Sequence, residues 1–481
     1  MRDMSSTIHL RIFALSLLGF LAVGGRAWAQ DTQEPPTEPS KPRPAARGIP
    51  GVDDTTDENS QVDQWQPDNT PLTGLADPTL GSPELRHSYW VPGIAYGATV
   101  QSEPTGSTQS WIVNNYVGAT VSLLEASGRN QIGLNYTGGG FFTTSNFESN
   151  GGFQLLTLAD TITLNRWQIE FFDKFSYLPT SEFGFFGGTG IGLPGVSGSF
   201  GVSIPGLNSG LVPTQSVFSA SGPRYSNATA AQVTYALSRR GSLTVGGAYG
   251  LLRFTQPGNV DNSMALGSVG YNYALTKEDS IGIFYEFAGY HYSGQPQALG
   301  TNIVAGAYSR KLTRKLALSL HGGPQFSHYR VPIGTQTKST NVAVGATLSY
   351  AATQQLGITG TFFHGLSGGA GVLVGSLSDT ATLRLTHRFG RVWNASFDFG
   401  YARNSPLGSA PGLTSSTFND WFVGGGVSRP FGRNINFFAN YTAYIESAGA
   451  AACVTTPCNT NYTQNTINLS IQWHTRPFVL E

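Results

Sequence analysis

"NINFFANYTAYIE", residues 434–446, decides the fold. Ile435, Phe437, Ala439, Tyr441, Ala443 and Ile445 fall on one face of an extended chain. Asn434, Asn436, Asn440, Thr442 and Glu446 fall on the other. Apolar and polar residues alternating at period two describe a strand with two unlike faces. The pattern recurs outward from this segment. In "TINLSIQW" (466–473), Ile467, Leu469, Ile471 and Trp473 oppose Thr466, Asn468, Ser470 and Gln472. In "TATLRLTHRF" (380–389), Leu383, Leu385 and Phe389 oppose Thr382, Arg384, Thr386 and Arg388. "SIGIFYEF" (280–287), "KLALSLHGG" (315–323), "NVAVGATLSY" (341–350) and "WNASFDFGY" (393–401) behave similarly. Such segments run longer than the roughly five or six residues usual in soluble sheets.

Alternation alone does not say which face is outside. The connections do. Short polar ones, such as "SGRN" (127–130), "SRRGS" (238–242), "TKEDS" (276–280) and "LTRK" (312–315), alternate with long Gly/Pro/Ser segments. Short turns at one end and long loops at the other is the asymmetry of membrane barrels with periplasmic turns and extracellular loops. Trp90, Trp167, Trp393 and Trp473 all fall at the short-turn end. Trp prefers the membrane interface, so a shared depth reads as a girdle. Counting strands gives an all-β, up-and-down antiparallel barrel of about 18, with 16 as the next choice.

The rest of the chain fits a secreted membrane protein. Arg2 and Arg11 precede "IFALSLLGFLAV" (12–23), and Ala27 and Ala29 form a small-residue site. A secretory signal peptide over 1–29 is expected. Residues 30–87 are rich in Pro and carboxylates and read as a disordered periplasmic linker, leaving 88–481 for the barrel. Charged residues are 12% of the chain, low for a soluble domain, and the formal net charge of zero implies no nucleic-acid partner. Cys453 and Cys458, in "CVTTPC", are expected to form a loop disulfide in an oxidising compartment.

These features resemble the bacterial, Gram-negative outer-membrane β-barrels of the porin-like kind. The signal segment, the alternation, the turn asymmetry, the girdle and the terminal strand "NTINLSIQW" (465–473) carry the resemblance. The lead-in "PLTGLADPTLGSPELRHSYWVPGIAY" (71–96) is similar to uncharacterised barrels of soil bacteria such as acidobacteria. The resemblance implies an outer-membrane location, a lipid surround and insertion by the barrel assembly machinery. A homo-oligomer is left open. Such barrels usually end on an aromatic residue, whereas here "HTRPFVLE" runs on past Trp473.

Residues 183–223 contain no Asp, Glu, Lys or Arg and are too rich in Gly and Pro for a helix. They belong to the long loop 179–225, which the resemblance suggests as a constriction. The clean registers give lumen candidates: Glu170, Lys174, Glu286, His321, Arg384, Arg388, Asp398, Asp420 and Glu446. Asp173 falls on the nominal lipid face, which places it near the rim or beside a bulge. "GLSGG" (365–369) matches G-x-S-x-G but opens a Gly-rich loop instead of a strand–turn–helix elbow. His291, His321, His364 and His387 show no obvious Ser or carboxylate partner at strand spacing. No catalytic, cofactor or metal site is expected. The expected function is passive or facilitated diffusion of small neutral or amphipathic solutes. The alternative is a plugged surface barrel presenting loops for adhesion or structure, with a barrel-wall hydrolase a distant third.

Overall fold

The computed structural model describes residues 88–105, 108–127, 129–143, 151–178, 224–255, 261–293, 298–330, 336–353, 355–368, 375–390, 392–407, 417–448 and 461–480. The expected signal segment, the linker, the uncharged stretch 183–223 and both cysteines lie outside these residues.

The described chain is strand after strand: β1 (Ser88–Thr105), β2 (Thr108–Ser127), β3 (Asn130–Thr143), β4 (Gly151–Thr163), β5 (Trp167–Leu178), β6 (Arg224–Ala236), β7 (Gly241–Phe254), β8 (Asn262–Ala274), β9 (Asp279–Tyr292), β10 (Ala298–Thr313), β11 (Leu316–Arg330), β12 (Gln336–Ala351), β13 (Leu356–Ser367), β14 (Ser376–Phe389), β15 (Trp393–Pro406), β16 (Phe418–Phe431), β17 (Ile435–Ala448), β18 (Asn461–His474) and β19 (Phe478–Leu480). Each pairs antiparallel with its sequence neighbour up to β18, and β1 closes the ring by pairing with β18 as well as β2. The first eighteen strands make the barrel, the count the alternation predicts. Past Trp473 the ladder breaks at residues 475–477, and the chain runs on in the same direction as β19, which pairs with the start of β1. Phe478 stacks on Trp90 with ring centroids 5.1 Å apart.

The short turns are held by hydroxyls in their own sequence. Ser238 Oγ accepts from the backbone N–H of Gly241 at 2.9 Å, and Thr353 Oγ1 from that of Leu356 at 3.0 Å. Thr276 Oγ1 accepts from the Asp279 N–H at 2.9 Å and donates to its carboxylate at 2.8 Å. These side chains replace the missing ladder partners of a tight turn. Gly390 and Gly432 take positive φ (63° and 72°) in two other short turns.

The outer face is apolar. Ile94, Tyr96, Val117, Val245, Val269, Ile283, Tyr285, Val342, Leu348, Leu469 and Ile471 point outward and are exposed. A closed ring pairs every strand on both sides through its middle, and an apolar outer band is what lipid requires. The protein is a transmembrane barrel of the outer-membrane type. The inner face is identified by contacts between strands that are not neighbours: Ala159 of β4, Met264 of β8 and Tyr329 of β11 share one buried cluster.

Two inner-face glycines mark places where backbones nearly touch. A Cβ added at Gly323 would overlap the Val304 carbonyl, and one at Gly139 the Val117 carbonyl. Outward Gly267 has nothing within 4 Å of its Cβ position. Gly323→Ala is expected to cost about 1–3 kcal/mol through forced backbone movement, while Gly267→Ala leaves stability unchanged. Urea unfolding in detergent checks both; equal midpoints for the two variants would contradict the close approach.

Candidate functional site

The lumen has two unlike walls. The polar wall runs over β14–β18. Arg384 and Asp398 sit directly opposite each other on β14 and β15, and Arg384 Nε donates to Asp398 Oδ1 at 2.5 Å. Their side chains are 12% and 7% exposed, so this is a buried pair. Next round the wall, Asp420 and Glu446 are opposed across β16 and β17, each almost fully buried. The Tyr444 hydroxyl lies between them, 2.8 Å from Asp420 Oδ1 and 3.3 Å from Glu446 Oε2. Asn404 Nδ2 donates to Asp420 Oδ2 at 3.3 Å, and Ser378 Oγ donates to Asn404 Oδ1 at 2.6 Å. Cross-strand spacing of about 5 Å makes such a ladder continuous.

The other wall carries an apolar band among buried polar side chains such as Glu170, Gln232, Asn272 and Gln325. Phe172 of β5, Ala228 and Ala230 of β6, Met264 and Leu266 of β8, Ala288, Tyr290 and Tyr292 of β9, Leu299 of β10 and Tyr329 of β11 form one buried cluster. The sequence reading assigned the lumen to polar side chains, and this sector corrects it. The signal was present: in "FYEFAGYHY" (284–292) aromatics occupy both faces, so the alternation fails in the outer half of β9. Loss of alternation here means apolar surroundings on both faces, lipid outside and the buried cluster within.

The two walls are joined by a strap. β12 and β13 pair only from Ala351↔Gly357 to Val344↔His364, although β13 continues paired with β14 to Ser367↔Ser376. Beyond His364 the β13–β14 end therefore leaves the barrel wall. The Leu366 N–H, without a ladder partner on that side, donates to Gln325 Oε1 at 2.9 Å, from the inner face of β11. The Tyr292 hydroxyl donates to the Gly368 carbonyl at 2.5 Å, across three intervening strands. Gly375 N–H donates to the same carbonyl at 3.1 Å, and Leu407 N–H to the Gly375 carbonyl at 3.3 Å. Gly368 lies flat on the Tyr290 ring, where a Cβ would overlap it, and Gly375 takes φ 75° between Leu299 and Leu407. The outer end of β13–β14 thus bends over the lumen and docks on the apolar wall.

The sequence-derived residues distribute as follows. Glu170 and Lys174 project inward from β5, and Glu170 accepts from Gln168 at 2.8 Å and Gln232 at 3.1 Å. Glu286 projects inward from β9, in register with Ile303. His321 projects inward from β11, its ring over Gly345 and edge-on to Phe284. Arg388 lies on the inner face near the short-turn end of β14, one strand position from Trp393's partner Phe389. Arg384, Asp398, Asp420 and Glu446 gather on the polar wall, whereas Glu170 and Glu286 stand apart from it. Trp90, Trp167 and Trp473 are exposed on the outer face at the short-turn end. Trp393, at the same end, is covered by the Arg429 guanidinium, 5.1 Å from its ring centroid.

Two expectations need correction. Asp173 is neither at the rim nor beside a bulge: the β4–β5 and β5–β6 registers run without a shift. It faces outward midway along β5, and Asn227 Nδ2 at 3.0 Å and Thr229 Oγ1 at 2.5 Å donate to it. Its polarity is satisfied within the sheet. His364 does have a carboxylate partner: Asp379, directly opposite on β14, with Nδ1 and Oδ1 2.5 Å apart. The pair faces outward, and no hydroxyl bonds to the His364 ring among the described residues.

No protein-family model matches the chain, and no curated protein matches it. Among solved structures it is similar to Pseudomonas aeruginosa OccK2 (OpdF), at 10% identity and TM-score 0.41 over 80% of this chain and 98% of that one. It is similar to a BenF-like porin from Pseudomonas fluorescens Pf-5, at 10% identity and TM-score 0.40 over 81% and 99%. It is also similar to the ferric citrate transporter FecA in its unliganded form, at 11% identity and TM-score 0.39 over 81% of this chain. The chain spans 66% of the length of FecA.

Breaking the Arg384–Asp398 pair leaves a buried carboxylate without its partner. Arg384→Met is expected to cost about 3–5 kcal/mol, and Arg384→Met with Asp398→Leu to recover most of the loss. Urea unfolding of the refolded barrel in detergent reads both. A single variant as stable as the parent would show that the pair contributes nothing.

Proposed function

We propose that the protein is an outer-membrane channel through which small neutral or amphipathic solutes pass by diffusion. The observation that carries this reading is the pairing of an apolar, aromatic wall with a hydrogen-bonding wall inside an eighteen-strand barrel. Eighteen strands enclose room for an aqueous path unless something fills it. A solute between these walls would meet ring faces on one side and amides, hydroxyls and paired charges on the other. On that wall Arg384 and Asp398 neutralise one another, Asp420 is engaged by Asn404 and the Tyr444 hydroxyl, and Glu446 by the same hydroxyl, so a solute meets hydrogen-bonded groups there. The strap sets the width at the extracellular end, and the loop 179–225 is proposed as a second constriction.

One observation favours a second reading, a plugged barrel whose surface loops are the functional part. The strap is fastened by Tyr292, Gln325 and Leu407 rather than resting loosely. Conductance separates the two. The mature protein, refolded into a planar bilayer, is expected to give steady single-channel currents. Replacing residues 366–377 by a short turn is expected to raise the conductance at least about twofold, since width limits conduction. Tyr292→Phe is expected to keep the fold but increase current fluctuations, by releasing one end of the strap. Absence of current in the parent and in both variants, all shown to be folded, would leave the plugged barrel as the answer.

A further inference from the structure

The outer surface carries a basic patch that the channel reading does not use. His291 on β9, His328 and Arg330 on β11 and Lys338 on β12 are all exposed. The register brings them together. Arg330 is opposite Ala298, which is opposite His291; Lys338 is opposite His328, which is opposite Gly300. With strands about 4.8 Å apart, four basic groups fall within about 15 Å across β9–β12. All four lie at the ends of their strands away from the short turns, on the face that carries Tyr285, Phe287, Phe326 and Val342.

None of the four has a hydrogen bond or ion pair among the described residues. The sequence supplies no neutralising carboxylate either. From Asn262 to Thr353 the acidic residues are Glu278, Asp279 and Glu286. Glu278 and Asp279 belong to the short-turn end, and Glu286 faces the lumen. Asp261, at the outer end of β8, is engaged by the Phe254 N–H at 2.8 Å and lies 4.0 Å from Arg253 Nε. Like charges on neighbouring strands repel, so this arrangement suits a bound anion. The surface between them is shallow: Gly289, Ala298 and Gly300 form its floor, and the His328 ring lies over Gly300. Immediately below, Phe287 and Phe326 are 41% and 48% exposed. Cationic donors above an apolar aromatic step match a molecule with an anionic head and hydrocarbon chains.

We propose that the outer end of β9–β12 is a binding site for the phosphate-bearing headgroup of an outer-leaflet lipid. Arg330 supplies a planar fork for two phosphate oxygens, Lys338 a point charge, and the two imidazoles further N–H donors. The acyl chains lie against Phe287, Phe326 and Val342. This inference needs the barrel to sit in the membrane but not to conduct.

The test uses the full-length protein in a neutral detergent, titrated with a bisphosphorylated glycolipid, the same lipid dephosphorylated, and inorganic phosphate. Bound lipid is counted by native mass spectrometry and the thermal midpoint is followed in parallel. The parent is expected to retain the phosphorylated lipid and gain thermal stability. Arg330→Gln with Lys338→Gln is expected to weaken binding at least about tenfold, through the loss of two charge-assisted contacts. Arg239→Gln with Arg240→Gln, in a short turn at the opposite end, is expected to bind as the parent does. Equal retention of the dephosphorylated lipid, equal retention by the Arg330/Lys338 variant, or the same stabilisation by inorganic phosphate would overturn the proposal. So would a change in oligomer mass without loss of lipid, which would make the patch a contact between copies.

Discussion

Every backbone N–H and C=O inside a bilayer must find a partner in the protein, because lipid offers none. For a chain that crosses by strands this forces closure, and closure organises everything else. The ring shuts where β1 meets β18 along nine consecutive residue pairs, from Gly93↔His474 to Gln101↔Thr466. The seam is then lengthened. Residues beyond Trp473 run on as β19 against Ser88, Tyr89 and Trp90, covering the short-turn end of β1 that β18 does not reach. A tail that looks superfluous in the sequence therefore covers a stretch of otherwise free strand edge.

The same requirement explains the strap. Once β13 leaves β12 at His364, its outward-directed backbone groups lose their ladder. The losses are made good from inside the barrel: Gln325 takes the Leu366 N–H, and the Gly368 carbonyl accepts from both Tyr292 and Gly375. Bending strand ends into the lumen is tolerable only because the far wall offers an apolar surface for Leu407 and Gly375 and polar atoms for the backbone. Lumen shape follows from hydrogen-bond accounting as much as from strand number.

Barrel class, strand count and the location of the short turns were legible because each depends on local pattern. Period-two alternation in 434–446 and 466–473 fixes the faces, and Ser238, Thr276 and Thr353 hold turns from within their own turn sequences. Several site residues could be read for face in the same way. What local pattern does not carry is the identity of the partner across a strand or across the lumen. His364 and Asp379 are fifteen positions apart and meet through the register of β13 and β14 alone. Asp173 looked misplaced because Asn227 and Thr229, more than fifty positions away, are invisible from β5. Tyr292 and Gly368 are not even on neighbouring strands.

Glycine links the two scales. The chain holds 61 glycines, a cost in a strand unless each has a use. Here a recurrent use is to lie under a ring: Tyr116 over Gly97, His321 over Gly345, Tyr290 over Gly368, and on the outer face His328 over Gly300. A ring laid flat covers the bare backbone and fills the space a side chain would take. On the inner face this packs aromatic bulk close to the wall and leaves the centre to the strap. On the outer face it lowers His328 into the sheet and leaves Arg330 and Lys338 standing above it. One local device, an aromatic ring over a glycine, thus shapes both the lumen wall and the surface the barrel turns toward the membrane.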